Sequence, residues 1–218
     1  MPRFRTVLFD LDGTLTDSAP GITASVRFAL KELGVTDFDD SVLYKFIGPP
    51  LIWSFKEFFA MSDERAQKGL ELYRLNYNER GGKYDSKLYD GLEESLRRMR
   101  DAGVRLGVAT AKPEITAREV IEHFGLDKYF ECVSGGNPDE KRCGKRDIIL
   151  HAMDLLGEKE PAKSLMAGDR EYDVTGAREA GVASIGVLYG FGSREELENA
   201  GAEAFAASPE EIADYVLG

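Results

Sequence analysis

Two carboxylates one residue apart, Asp10 and Asp12, close the apolar run Val7-Leu8-Phe9 and stand before Gly13-Thr14-Leu15. An extended segment places side chains i and i+2 on one side. Both acids are therefore expected beyond the carboxyl end of a first strand, the edge at which open α/β sheets hold ligands. Two neighbouring anions need a metal ion or a shared proton. The competing reading of Asp-x-Asp-Gly is a plain turn, with Asp closing a local hydrogen bond and Gly taking positive φ. A second motif, Leu165-Met166-Ala167-Gly168-Asp169-Arg170-Glu171-Tyr172-Asp173, repeats the order of apolar strand, acid and helix. If its strand lies beside the first, Asp169 joins Asp10 and Asp12 in an oxygen-rich site suited to Mg2+, a hard ion that takes carboxylates, carbonyls and waters. Simple capping of the next helix by Asp169 and Asp173 is the alternative.

Two other segments offer groups to an anion. In Val108-Ala109-Thr110-Ala111-Lys112-Pro113 a strand ends in a hydroxyl, so Thr110 and the amides beside it can hold a phosphate oxygen, unless Thr110 merely caps a helix. In Lys141-Arg142-Cys143-Gly144-Lys145-Arg146-Asp147 positive charge sits at a helix start, against the dipole, where a solvated charge run is the plainer cause. The chain carries a net charge of −11, which argues against a nucleic-acid polymer as partner. It also repels a small phosphate unless the site is locally cationic. Lys145 delivered beside three carboxylates and a metal meets that need.

The elements that must position these groups read as an α/β fold, a doubly wound, mainly parallel sheet. Strand-like runs recur at Thr6–Phe9, Val104–Ala109, Phe130–Ser134, Ser164–Ala167 and Ala183–Val187, with helical patterns between most of them. Leu92, Leu96 and Met99 mark one helix face, and Ile148, Ile149, Ala152 and Leu155 another. A last helix opens at Ser208-Pro209-Glu210-Glu211. The alternation breaks from Ser18 to Tyr89, where Ile22, Val26, Ala29, Leu30 and Leu33, then Ala66, Leu70, Tyr73 and Tyr77, have helical spacing. The division expected is a core of residues 1–17 and 90–218 with a helical insertion at 18–89. Trp53, Phe55, Phe58 and Phe59 are expected in the insertion's own core.

At 218 residues, with 43% hydrophobic and 31% charged content, the composition is that of a soluble globular protein. No apolar run nears the roughly 20 residues needed to cross a bilayer, and the segment before the first strand leaves no room for a signal peptide. No membrane association and a cytoplasmic location are expected. Cys132 and Cys143 lack disulfide or zinc spacing, and His123 and His151 fall in helical patterns without a role.

Taken together, these residues resemble the haloacid dehalogenase superfamily over Val7 to about Phe191. Asp10-Leu11-Asp12-Gly13-Thr14-Leu15 is similar to its first motif, Thr110 to its second, Lys145 to its third, and Gly168-Asp169 with Asp173 to its fourth. The stretch from Ser18 to Tyr89 resembles the family's small helical cap. Phe46-Ile47-Gly48-Pro49-Pro50-Leu51, Thr110-Ala111-Lys112-Pro113, Arg142-x-x-Lys145 and Gly168-Asp169-Arg170 are similar to bacterial enzymes labelled phosphoglycolate phosphatase or 5′-nucleotidase.

The resemblance implies a Mg2+-dependent phosphomonoesterase that acts on a small phosphorylated metabolite through an aspartyl-phosphate. Asp10 is then the nucleophile. Asp12 protonates the leaving alcohol and later deprotonates water. Thr110, the Ala111 amide and Lys145 cradle the phosphoryl group. The metal is held by Asp10, the main-chain carbonyl of Asp12, and Asp169, with Asp173 supporting. Asp12 speaks against dehalogenase chemistry, and a Schiff-base variant would need Lys45 or Lys56. An inorganic pyrophosphatase, a sugar-phosphate mutase and a non-catalytic binding module are the alternatives. A nucleotide substrate would favour an aromatic face such as Phe46 or Trp53; phosphoglycolate would need a cation from the cap.

Overall fold

The computed structural model describes residues 2–137 and 144–218, so Lys141, Arg142 and Cys143 of the cationic segment lie outside the described residues. The chain divides into two compact units, residues 1–17 with 88–218, and residues 18–87.

In chain order the strands are β1 (Thr6–Phe9), β2 (Thr16–Asp17), β3 (Lys87–Leu88), β4 (Arg105–Pro113), β5 (Cys132–Gly136), β6 (Ser164–Gly168), β7 (Ala183–Val187) and β8 (Ala204–Ala206). Six of them form the main sheet in the order β5-β4-β1-β6-β7-β8, each neighbouring pair parallel. The order steps away from β1 in both directions, the doubly wound arrangement. Residues β2 and β3 are the points at which the chain passes between the units.

All four residues of β1 are buried, as a strand covered on both faces requires. On one face Val7 and Phe9 pack with Leu106, Val108, Leu165, Ala167, Ile185 and Val187. That face is covered by α5 (Leu92–Asp101), α6 (Glu114–His123) and α10 (Pro209–Leu217). On the other, Leu8 and Met166 meet α7 (Lys145–Leu156) and α8 (Glu171–Ala180) through Ile148, Ala152, Met153 and Ala177. A short helix α9 (Arg194–Ala200) precedes β8. At α10 the Ser208 hydroxyl accepts the Glu211 N–H at 3.4 Å, and Pro209 occupies the first turn.

Three details differ from the sequence expectation. Leu155 is 50% exposed, because the buried stripe of α7 is centred on Ala152 and Leu156 with Met153 at its edge. The strand β8 is three residues long, too short to give an alternation. Strand β4 does not stop at Ala109. Its register with β5 advances four residues, from Ala109 to Pro113, while β5 advances two, from Ser134 to Gly136. This is a bulge, and it carries Thr110, Ala111 and Lys112.

The second unit comprises α1 (Ala19–Glu32), α2 (Ser41–Tyr44), α3 (Leu51–Phe59) and α4 (Asp63–Arg74), the last running into a π-helical turn at Leu75–Glu79. Its core is Ile22, Val26, Ala29 and Leu30 of α1 with Ala66 and Tyr73 of α4 and Tyr77 of the π turn. Phe46 and Phe55 are fully enclosed and meet edge to face at 5.0 Å between ring centroids. Trp53 departs from the expected aromatic core: it is 49% exposed, and its ring meets Phe58 edge to face at 5.6 Å between centroids. Among the described residues no helix is long and apolar enough to cross a membrane.

Candidate active site

Parallel strands in register deliver their carboxyl ends to one edge of the sheet. Phe9 of β1 is paired with Ala167 of β6, so Asp10 and Asp169, each just past its strand, arrive side by side. Asp173, in the first turn of α8, completes the group. One carboxylate oxygen from each of Asp10, Asp169 and Asp173 lies within 4.8 Å of the others, and all three residues are buried. The fourth member is Lys145, the first residue of α7, whose side chain is 6% exposed. Its Nζ donates to Asp10 Oδ1 at 2.8 Å and to the Ala109 carbonyl at 3.0 Å. It stands 2.6 Å from Asp173 Oδ1 in an ionic contact without the alignment of a hydrogen bond.

Capping and clustering prove compatible at Asp173. Its Oδ2 accepts the Arg170 N–H at 3.0 Å and so caps α8, while Oδ1 faces Lys145. Asp169 is not a helix cap. Its Oδ2 accepts the Phe191 N–H at 2.7 Å, and Thr14 Oγ1 approaches Oδ1 at 3.5 Å.

Asp12 does not enter this carboxylate cluster. The extended backbone ends at Phe9, the chain bends at Leu11, and Asp12 makes an isolated bridge to Thr16, so the alternation that would align Asp12 with Asp10 is lost. The Asp12 carboxylate pairs instead with Lys112, Nζ to Oδ2 at 2.9 Å, the side chains being 6% and 21% exposed. Each acid of the first motif thus has its own ammonium. Thr110 is buried and is not a helix cap, since α6 begins at Glu114 after Pro113; its Oγ1 accepts the Lys112 N–H at 3.3 Å. Ala111 between them is exposed.

The electrostatics follow from burial. Desolvation, then the charges of Asp173 and Asp10, hold the Asp169 carboxyl well above the ordinary carboxylate range. Desolvation also raises Asp173, to about 6, against the pull of Lys145. Burial works against the Lys145 charge, but Asp10 and Asp173 outweigh it and raise its pKa above that of a free lysine. Three carboxylates against one ammonium leave a formal deficit of two positive charges in a buried cluster whose anionic donors are all oxygen. That donor set and charge fit a hard divalent cation such as Mg2+.

Several supports carry no role in the sequence reading. Lys112 is one, and the Phe191 amide another. Tyr189 Oη donates to the Thr14 carbonyl at 3.0 Å, tying the loop after β7 to the loop after β1. Gly13, with φ +84°, and Gly190 both lie against Asp169, where a Cβ would approach its side chain to 2.3 and 2.4 Å. The triplet Gly190-Phe191-Gly192, separated by two residues from the end of β7, is the available signal. The histidines stand apart from the cluster: His151 Nδ1 is 3.0 Å from Ser134 Oγ, and the His123 ring packs on Phe124. Lys56 pairs with Asp63 at 2.5 Å, and Lys45 lies over the Phe58 ring.

Comparisons with known proteins agree with this architecture. The family model for haloacid dehalogenase-like hydrolases matches residues 7–187. A 5′-nucleotidase of Pseudomonas aeruginosa is 43% identical over 195 residues, 89% of this chain and 87% of that protein. Tyrosine-protein kinase PtkA of Mycobacterium tuberculosis is 39% identical over 193 residues, 88% of this chain; the chain spans 65% of that protein's length. A phosphoglycolate phosphatase of Aquifex aeolicus is 29% identical over 187 residues, 86% of each chain. Among solved structures, one described as a predicted phosphatase from Clostridium acetobutylicum superimposes with a TM-score of 0.89 at 44% identity over 98% of both chains. A family match over most of its length, with relatives and a solved structure of the same kind, places the chain among the haloacid dehalogenase-like hydrolases, as an enzyme of their phosphatase type.

Proposed function

We propose that the protein is a Mg2+-dependent phosphomonoesterase that forms an aspartyl-phosphate on Asp10. The observation that carries this reading is the meeting of Asp10, Asp169 and Asp173 within 4.8 Å, with Lys145 Nζ 2.8 Å from Asp10. Asp10, Asp169 and the Asp12 main-chain carbonyl would hold the ion, with Asp173 in support. The chemistry such an ion supplies when bound is neutralisation of the phosphoryl oxygens.

The chain's own residues do the rest. The Asp10 carboxylate attacks phosphorus in line, and the leaving alcohol departs with a proton from Asp12. Asp12 then takes a proton from the water that hydrolyses the acyl phosphate. Lys145 keeps the nucleophile oriented and stabilises charge on the transferring group, with Thr110 Oγ1 and the Ala111 N–H as further donors. Residues 18–87 would be the cap that selects the leaving group, and residues 1–17 with 88–218 the catalytic core.

Nucleoside 5′-monophosphates are the substrates we favour, on the 43% identity with a 5′-nucleotidase. Phe46 cannot offer a nucleobase its face, being 2% exposed; of the two aromatic residues considered, Trp53, 49% exposed, can. Phosphoglycolate is the second candidate, on the relative of that name. The kinase name of another relative raises phosphoryl transfer to an acceptor in place of water.

The test is phosphate release from a panel of nucleotides, phosphoglycolate, sugar phosphates, pyrophosphate and p-nitrophenyl phosphate, with Mg2+ and with a chelator. Hydrolysis that needs Mg2+ and is lost in Asp10→Asn is expected. Equal activity of wild type and Asp10→Asn overturns the proposal, and transfer to an alcohol without phosphate release overturns the hydrolytic half of it.

A further inference from the structure

Lys112 is an ammonium with a 6% exposed side chain, and burying such a charge is costly unless a partner compensates it. The fold goes to some length to put it there. Strand β4 gains two residues against β5 between Ala109 and Pro113, and such a bulge re-aims the side chains that it carries. The bulge lies against β5 where Gly136 has no side chain: a Cβ there would lie 2.6 Å from the Ala111 carbonyl oxygen, and one on Gly135 would lie 2.3 Å from Glu114 Cα at the start of α6. Thr110 Oγ1 takes the Lys112 N–H and fixes the turn. The result is Lys112 Nζ at 2.9 Å from Asp12 Oδ2.

Asp12 needs such a hold. It has left the strand, is 21% exposed at its side chain, and stands apart from the cluster that orients Asp10. A carboxylate that must give and take one proton at a fixed place gains from losing its rotational freedom beforehand.

We propose that Lys112 is a positioning residue for the reaction, gripping Asp12 by Oδ2 so that Oδ1 carries the proton to the leaving oxygen. This rests on the assignment of Asp12 as acid and base. Lys112 acts through Asp12, so its worth depends on Asp12 being present and on how much the leaving group needs a proton.

The experiment compares wild type, Lys112→Met, Asp12→Asn and the double variant on an alkyl phosphomonoester and on p-nitrophenyl phosphate, whose phenolate leaves with little protonation. Lys112→Met is expected to lower kcat on the alkyl ester by about 10-fold or more, a share of the 10²–10⁴ that acid–base catalysis supplies, with KM within about 3-fold. The loss should be smaller on p-nitrophenyl phosphate, absent when Asp12 is already Asn, and partly restored in Lys112→Arg. An additive loss in the double variant, or a rise in KM with kcat unchanged, assigns Lys112 to substrate binding or to packing and overturns the proposal. Lys112→Gln gives the same reading if the methionine variant fails to fold. Asp10→Asn, run alongside, separates the two levels: if it stays active the phosphatase reading fails, whereas its inactivity beside an unaffected Lys112→Met sinks only the role of Lys112.

Discussion

Replacing Gly168 by Ala should damage the site through one side chain, and the size of the effect can be worked from distances. A Cβ on Gly168 would lie 2.2 Å from Asp173 Cγ and 2.4 Å from its Cβ and Oδ2, whereas ordinary contact begins at 3.4 Å. Asp173 must therefore retreat by about 1.2 Å, in a position that is 2% exposed. Overpacking of a tight interior costs about 1–3 kcal/mol. The same retreat breaks the 3.0 Å bond from the Arg170 N–H, a helix cap whose loss costs about 1 kcal/mol. The sum is about 2–4 kcal/mol, or roughly 4–16 °C in melting temperature for a chain of this size. Thermal unfolding followed by circular dichroism in chelator measures it. The decisive control is Asp173→Gly, which removes all three clashing atoms. In that background Gly168→Ala should cost less than about 1 kcal/mol. An equal cost in both backgrounds would refute the assignment of the strain to Asp173.

Three further outcomes follow from burial and charge. The Glu158 carboxylate accepts the Glu160 N–H at 2.8 Å and the Thr6 hydroxyl at 3.1 Å, with Arg5 at 3.5 Å; burial alone would raise its pKa, but these partners prevail and lower it. A lowered carboxyl stabilises the fold above its unfolded pKa and loses that stabilisation as pH falls through the folded value. Glu158→Gln should thus cost about 1 kcal/mol near neutrality and nothing below the ordinary carboxylate range, and a pH-independent difference in chemical denaturation contradicts this. Burial, then the charge of Glu131, push the Cys132 thiol up to about 11, so iodoacetamide at about pH 8 should spare Cys132 in the native protein and label it in urea, read by peptide mass mapping. Phe46→Ala should destabilise the helical unit by about 3–5 kcal/mol and Trp53→Ala by about 1 kcal/mol or less, since the rings are 2% and 49% exposed; similar losses would contradict the burial pattern.

What could be read from residues alone was whatever the main-chain path leaves close to its sequence neighbours. The strands β1 and β6 are covered on both faces, so Val7-Leu8-Phe9 and Leu165-Met166-Ala167 are unbroken apolar runs, and the acids that follow them mark the sheet edge. Asp169 and Asp173 were legible as a pair because a strand end and a first helical turn fix their distance. Lys112 was not, since a bulge of two residues is invisible until β5 is laid beside β4 and the count is compared. Likewise Asp12 was expected beside Asp10 by strand alternation, yet the strand ends one residue before Asp10 and the rule ends with it.

Apart from the Tyr189 hydroxyl, the other hidden supports share one physical character: they are main chain. The Phe191 N–H on Asp169 and the Arg170 N–H on Asp173 belong to backbone that any residue type supplies. The glycines around them signify only through their neighbours. A Cβ at Gly13 or Gly190 would strike Asp169, one at Gly192 its carbonyl, and one at Gly168 would strike Asp173. The acids are thus packed against peptide units, whose positions are set by parallel strands and tight turns and vary little with side-chain rotamers. A buried excess of negative charge can be held in one place by such rigid walls, where flexible side chains would let the carboxylates separate. On this argument, changes at the four glycines should disturb the cluster as severely as changes to the acids' charged partner, Lys145, even though none of the glycines carries a chemical group.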